Sequence, residues 1–120
     1  MKDSLIFVCT LEHDIVSYVE SVSTDIQDVM NFIEKYYDKQ YPDYSIDKIT
    51  IWKNNKEVGR VEVYEPLTSA CYKFTIIENG EYINQYISIT PKNKMDFINH
   101  VSNFINHVND FIDMIQSKQE

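Results

Sequence analysis

Few residues in this chain pair a reactive side chain with a neighbour that could activate it. The triplet Glu12-His13-Asp14 holds two carboxylates and an imidazole, the groups of general acid–base catalysis. Adjacent residues in a turn point away from one another, so the ordinary reading is a solvated loop. Cys9 and His13 are a nucleophile and a base by type, but no third group can be placed to orient them. His100 and His107 recur seven residues apart, which on a helix is ~10.5 Å along the axis, too far for two imidazoles to share one ion. Gly59 and Gly80 stand alone, so no glycine-rich phosphate cradle can be built. None of the G-x-S-x-G, H-E-x-x-H or C-x-x-C patterns can be written. The expectation is a protein that is not an enzyme, with no catalytic residues, no metal and no cofactor.

Three groups of residues remain as binding surfaces. The first is acidic: Glu12, Asp14, Glu20, Asp25, Asp28 and Glu34 come within one short stretch. In a folded domain they could form a stripe that mimics the phosphates of nucleic acid and fits a basic cleft. The second is aromatic: Trp52, Tyr64, Tyr82 and Tyr86 are interleaved with Lys48, Arg60 and Lys73 on strand-like segments, a pattern suited to stacking bases or to protein hot spots. The third is the near-repeat FINHVSNFINHVND, residues 97–110, echoed by FIDMIQS, which makes Phe97, His100, Phe104, His107 and Phe111 candidates for a helix paired with its mate in a homodimer. Its apolar positions cover three residues in every seven, wider than a coiled-coil seam, so a helix packed along a sheet is the plainer reading. No Lys or Arg occurs from Met95 to Ser117, and the polar side of that helix, Asn99, His100, Ser102, Asn103, Asn106, His107, Asn109, Asp110, Asp113 and Gln116, is rich in amides and short of cations.

The formal net charge is −8, unevenly spread. Residues 1–34 carry seven acids against Lys2 alone, whereas residues 35–94 carry eight acids and nine bases. A charge of this sign opposes attraction to nucleic acid or anionic membrane and favours a basic protein partner.

These surfaces need elements to position them. SLIFVCT at 4–10 reads as a strand, and 11–22 reads as its hairpin partner, turning at Glu12-His13-Asp14, or else as helix. Residues 24–41 make an amphipathic helix: Thr24 and Gln27 have capping-box spacing, and Pro42 ends it. Two hairpins follow, turning at Asn54-Asn55 and at Asn79-Gly80, both suited to positive φ. Alternation turns Ile49, Ile51, Val61, Val63, Tyr72, Phe74, Ile76, Ile83, Ile87 and Ile89 inward and the aromatic and basic set outward. A last helix runs from about Lys92 to Ser117. The fold class is α+β: an antiparallel β-sheet of about five strands with two helices packed on one face, in one domain spanning residues 1–120.

Only two Gly and three Pro among 120 residues, with 43% hydrophobic content, fit a folded domain. The longest apolar run near the start, LIFVC, is too short for a signal-peptide core or a membrane span, so a soluble cytoplasmic protein with reduced, buried Cys9 and Cys71 is expected. In bulk terms such a small acidic α+β domain looks like the immunity proteins and inhibitors that mobile elements encode. The functional expectation is a homodimeric protein-binding domain, of inhibitor or immunity type, that engages a basic nucleic-acid-processing protein. The alternative is a single-stranded nucleic-acid or small-ligand binder using the aromatic sheet face.

Overall fold

The computed structural model describes residues 5–37, 45–64, 70–78, 80–89 and 94–118, and the side chains of 5–36, 46–62, 73–78, 80–83 and 105–118. In chain order the elements are β1 (Ile6–His13), β2 (Val16–Ser23), α1 (Ile26–Tyr37), β3 (Ser45–Lys53), β4 (Lys56–Tyr64), β5 (Ala70–Glu78), β6 (Glu81–Ile89) and α2 (Lys94–Lys118). The strands form one antiparallel sheet ordered β2-β1-β3-β4-β5-β6. The class is α+β as expected, but the sheet has six strands rather than about five, because residues 16–23 form a complete edge strand. The first hairpin turns at Asp14-Ile15, later than the expected Glu12-His13-Asp14, and Asp14 takes a φ of 57°. A short polar side chain tolerates that conformation better than its neighbours would.

The other hairpin signals act as their residue types require. Asn54 and Asn55 both have positive φ, 53° and 64°, and Gly80 has 79°, the backbone of turns whose twist matches that of the strands. The proline positions 42, 66 and 91, and Asn79, lie outside the described residues.

Both helices cover the same face of the sheet. Phe7, Cys9 and Leu11 of β1, Ile46, Ile49 and Ile51 of β3, Val61 of β4 and Phe74 of β5 join Val29, Phe32, Ile33 and Tyr36 of α1 and Val108, Phe111, Ile112 and Ile115 of α2 in one core. Inward Ile49, Ile51, Val61 and Phe74 are therefore as expected. Ile83 also faces the helix-bearing side, opposite Ile76, but stays 50% exposed on the last strand. The side chains of Val63, Tyr72, Ile87 and Ile89 lie outside those described.

Three bulges interrupt the ladders. The pairings Cys9–Ser21 and Thr10–Val19 leave Glu20 as an extra residue in β2, Thr10–Lys48 and Leu11–Ile46 leave Asp47, and Ile51–Gly59 and Trp52–Glu57 leave Val58. A bulge re-aims the residues after it without losing the core pattern, and Val58 is itself buried.

Gly59 sets how closely α2 approaches the sheet. A Cβ there would fall within van der Waals contact of Ile115 Cδ1, with Phe111 Cζ at 3.4 Å. Gly59→Ala should therefore overpack the β4–α2 contact and lower stability by about 1–3 kcal/mol. Adding Ile115→Val, which deletes the obstructing methyl, should recover part of the loss; urea unfolding of the two variants beside the unsubstituted protein checks both expectations.

Candidate binding surfaces

The start of α1 is built by polar residues that hydrogen-bond one another. Asp25 is its N-cap: the Gln27 N–H donates to Asp25 Oδ1 at 2.9 Å, and the Asp28 N–H donates to the Asp25 carbonyl at 3.1 Å. Ser23 Oγ accepts the Asp25 N–H at 2.9 Å and donates to Asp28 Oδ2. The cap lies one residue beyond Thr24, the position that the Thr24/Gln27 spacing suggested. Two carboxylates thus stand at the helix N-terminus, where negative charge interacts favourably with the helix dipole.

Beside this cap lies an open cleft of about 430 Å³ between the start of β1, the first turn of α1 and the end of α2. Leu5, Phe7, Ile26 and Ile112 form its apolar part. Thr24 and Asp25 line it from one side and Asn109, Asp113 and Gln116 from the other. Positions 109, 113 and 116 fall on one helix face by i, i+4, i+7 spacing, beside the buried Ile112. Among the described residues no base pairs with Asp25 or Asp113, and Lys118 at the end of α2 is held by Glu78 at 2.9 Å. The cation-poor side of the last helix was legible in the sequence. Its approach to Asp25 depends on how α2 crosses α1, which no local pattern encodes.

The six acids of the N-terminal third do not share one face. Glu20, raised by its bulge, accepts a hydrogen bond from the Tyr36 hydroxyl at 2.9 Å on the helix-bearing side. Burial first, and then that bond, push the Tyr36 phenol above its ordinary value. Asp25 and Asp28 lie at the head of α1, and Glu34 is exposed farther along it. Asp14 is in the turn, and Glu12 falls on the opposite face, in register with Ser17 and Ser45.

No described element covers the other side of the sheet. There Trp52 Nε1 donates to Thr50 Oγ1 at 2.9 Å, which lays the indole along its own strand. Arg60 forms a two-pronged pair with Glu57, Nε to Oε1 at 2.6 Å and Nη2 to Oε2 at 2.8 Å, and this pair raises the guanidinium pKa. Lys48 and Lys73 flank Glu62 in register. The basic residues of this face are thus interleaved with acids rather than gathered for a phosphate backbone. Tyr82 is 63% exposed. Tyr64 and Tyr86 share the face by register, opposite Cys71 and Lys73, but their side chains lie outside those described.

In the described part of the repeated helix, Phe111 is buried against Phe74, ring centroids 5.2 Å apart, and His107 stands exposed with its ring 6.4 Å from Phe74. Phe111 therefore packs within its own chain. The side chains of Phe97, His100 and Phe104 lie outside those described. Among the described residues no three His, Cys, Asp or Glu side chains gather as metal ligands would, and no helix is long and apolar enough to cross a membrane. Cys9 and His13 sit ~13 Å apart along an extended strand, which separates nucleophile from base. Comparison with family models, curated proteins and solved structures gives no match to this chain.

Burial, and secondarily the charge of Asp28, push the Cys9 thiol from 9.0 up to about 12. The native state therefore holds this proton at pH values where the unfolded chain has released it. The contribution of Cys9 to stability is constant below about pH 9 and falls as pH rises from there towards 12. In a Cys71→Ser background, Cys9 should react with a thiol reagent at pH 8 only after denaturation, and the urea midpoint should drop between pH 9 and 10.5 by more than in a Cys9→Ala control.

Proposed function

We propose that this is a non-enzymatic cytoplasmic binding domain, of inhibitor or immunity type, that engages the basic surface of a protein partner. The observation that carries this reading is the cleft beside α1, where Asp25 and Asp113 face one space over an apolar floor with no described base between them. A lysine or arginine side chain suits such a site, its methylene stem against Leu5, Phe7, Ile26 and Ile112 and its charged head at the carboxylates. The net charge of −8 steers a basic partner towards the encounter and repels nucleic acid and anionic membrane. A second reading, a single-stranded nucleic acid or small ligand stacked on the sheet, is favoured by the exposure of Tyr82 beside the uncovered face.

Fluorescence anisotropy with an arginine-rich peptide and, in parallel, a labelled oligothymidine separates the two. Peptide binding that weakens with salt, and weakens a further roughly fivefold to tenfold in Asp25→Asn/Asp113→Asn, is the expected result. Asparagine is as good an N-cap as aspartate, so the double variant removes charge while keeping the helix start. Binding of the oligonucleotide alone, lost in Lys48→Gln/Lys73→Gln, would replace this reading with the second.

A further inference from the structure

Strand β2 closes one side of the sheet, paired to β1 on one edge and to no described element on the other. Its residues, VSYVESVS, contain no Lys, Arg or Pro, the residue types with which exposed edges usually discourage pairing. Only the bulge at Glu20 serves that end. The two sides of this edge differ in chemistry. On the uncovered side Val19 and Val22 are 58% and 63% exposed, with Ile6 behind them. On the helix side stand the carboxylates of Glu20, held by Tyr36, and Asp28, held by Ser23, with Lys35 lying over the Tyr36 ring as the base of that side.

Resting on the reading above, we infer that β2 is a docking edge at which an extended segment of the basic partner adds as a seventh strand, with Lys or Arg at alternate positions and β-branched apolar residues between them. The alternation follows from strand geometry. Side chains of an added strand point to opposite faces in turn, so one set meets the Glu20 and Asp28 side and the other meets Val19 and Val22. Charge argues against a second copy as the occupant. From β1 through α1 the chain holds six carboxylates and one base, Lys35, so self-pairing would bring like charges together along the new seam.

The test uses three labelled eight-residue peptides at concentrations where each is monomeric: alternating Lys and Val, the same composition in two blocks, and the alternating peptide N-methylated at every second amide. Affinity is read by anisotropy, and protection of the Val16–Ser23 amides by hydrogen exchange. The alternating peptide should bind at least tenfold tighter than the other two, and should slow exchange in β2. Val19→Lys/Val22→Lys changes two largely exposed residues and should leave the melting temperature unchanged, while reducing alternating-peptide affinity to the level of the block peptide. Equal binding of all three peptides would overturn strand addition while leaving the acidic-surface reading intact. Failure of all three to bind would overturn both. Concentration-dependent protection of β2 without peptide, abolished by Val19→Lys/Val22→Lys, would assign the edge to a second copy and overturn the inference.

Discussion

Strands stand ~4.8 Å apart, so six of them span about 24 Å, whereas two helices packed side by side at 8–10 Å shade only about 20 Å. Everything else in the structure adjusts to that mismatch. The helices are centred over β1, β3, β4 and β5, where Ile49, Ile51 and Val61 reach complete burial. The shortfall appears at the margins, as a half-exposed Ile83 on β6 and as a β2 whose residues are nearly all exposed or half-buried. Gly59 belongs to the same constraint: without a side chain there, α2 settles onto β4 through Phe111 and Ile115 instead of riding above it. Two of the surfaces available for recognition, the β2 edge and the uncovered face, are those that the helices fail to reach, and the third is the cleft between the helices themselves.

How much of this was readable in the sequence follows from what each signal depends on. The turn at Asn54-Asn55 and the positive φ at Gly80 were legible because positive φ is a local demand that few residue types meet. The inward set Ile49, Ile51, Val61 and Phe74 was legible because those strands alternate Ile, Val and Phe with Lys, Thr, Arg and Glu. β2 was ambiguous because it buries neither face, so its alternation carries no contrast and its Val and Tyr spacing also fits a helix. The cap was misplaced by one residue because Thr24 and Asp25 are both good caps, and the choice falls to Ser23, whose hydroxyl organises Asp25 and Asp28 together. Asp25 and Asp113 could not be paired from sequence at all, since eighty-odd residues and a helix crossing separate them.

The acids are distributed in a way that composition alone would not suggest. Glu20 and Asp28 are each tied to a neutral hydroxyl, of Tyr36 and Ser23, rather than to a base. Such bonds orient a carboxylate without cancelling its charge, so the field around α1 and β2 stays negative while its side chains stay ordered. Arg60 and Lys118 show the opposite arrangement, each held by a nearby glutamate. The molecule therefore presents fixed negative charge at one end of its sheet and largely neutralised pairs over the rest of what is described.

The threonines of the uncovered face give that surface a further property. Thr10, Thr50 and Thr75 are buried there although no described helix lies above them, and the Thr75 hydroxyl finds no hydrogen-bond partner among the described residues. Thr50 and Thr75 flank Arg60 in register, and Trp52 bonds back to Thr50. The threonines in the middle of the face are thus covered by longer side chains, Arg60 and Trp52 among them, that are themselves partly exposed. The exposed large apolar side chains of this side lie at its margins, Ile6, Val19, Val22 and Tyr82, and it is from there that any molecule settling on this side would release solvent from apolar surface. The heat-capacity change of such an association would then report the perimeter of the contact rather than its centre.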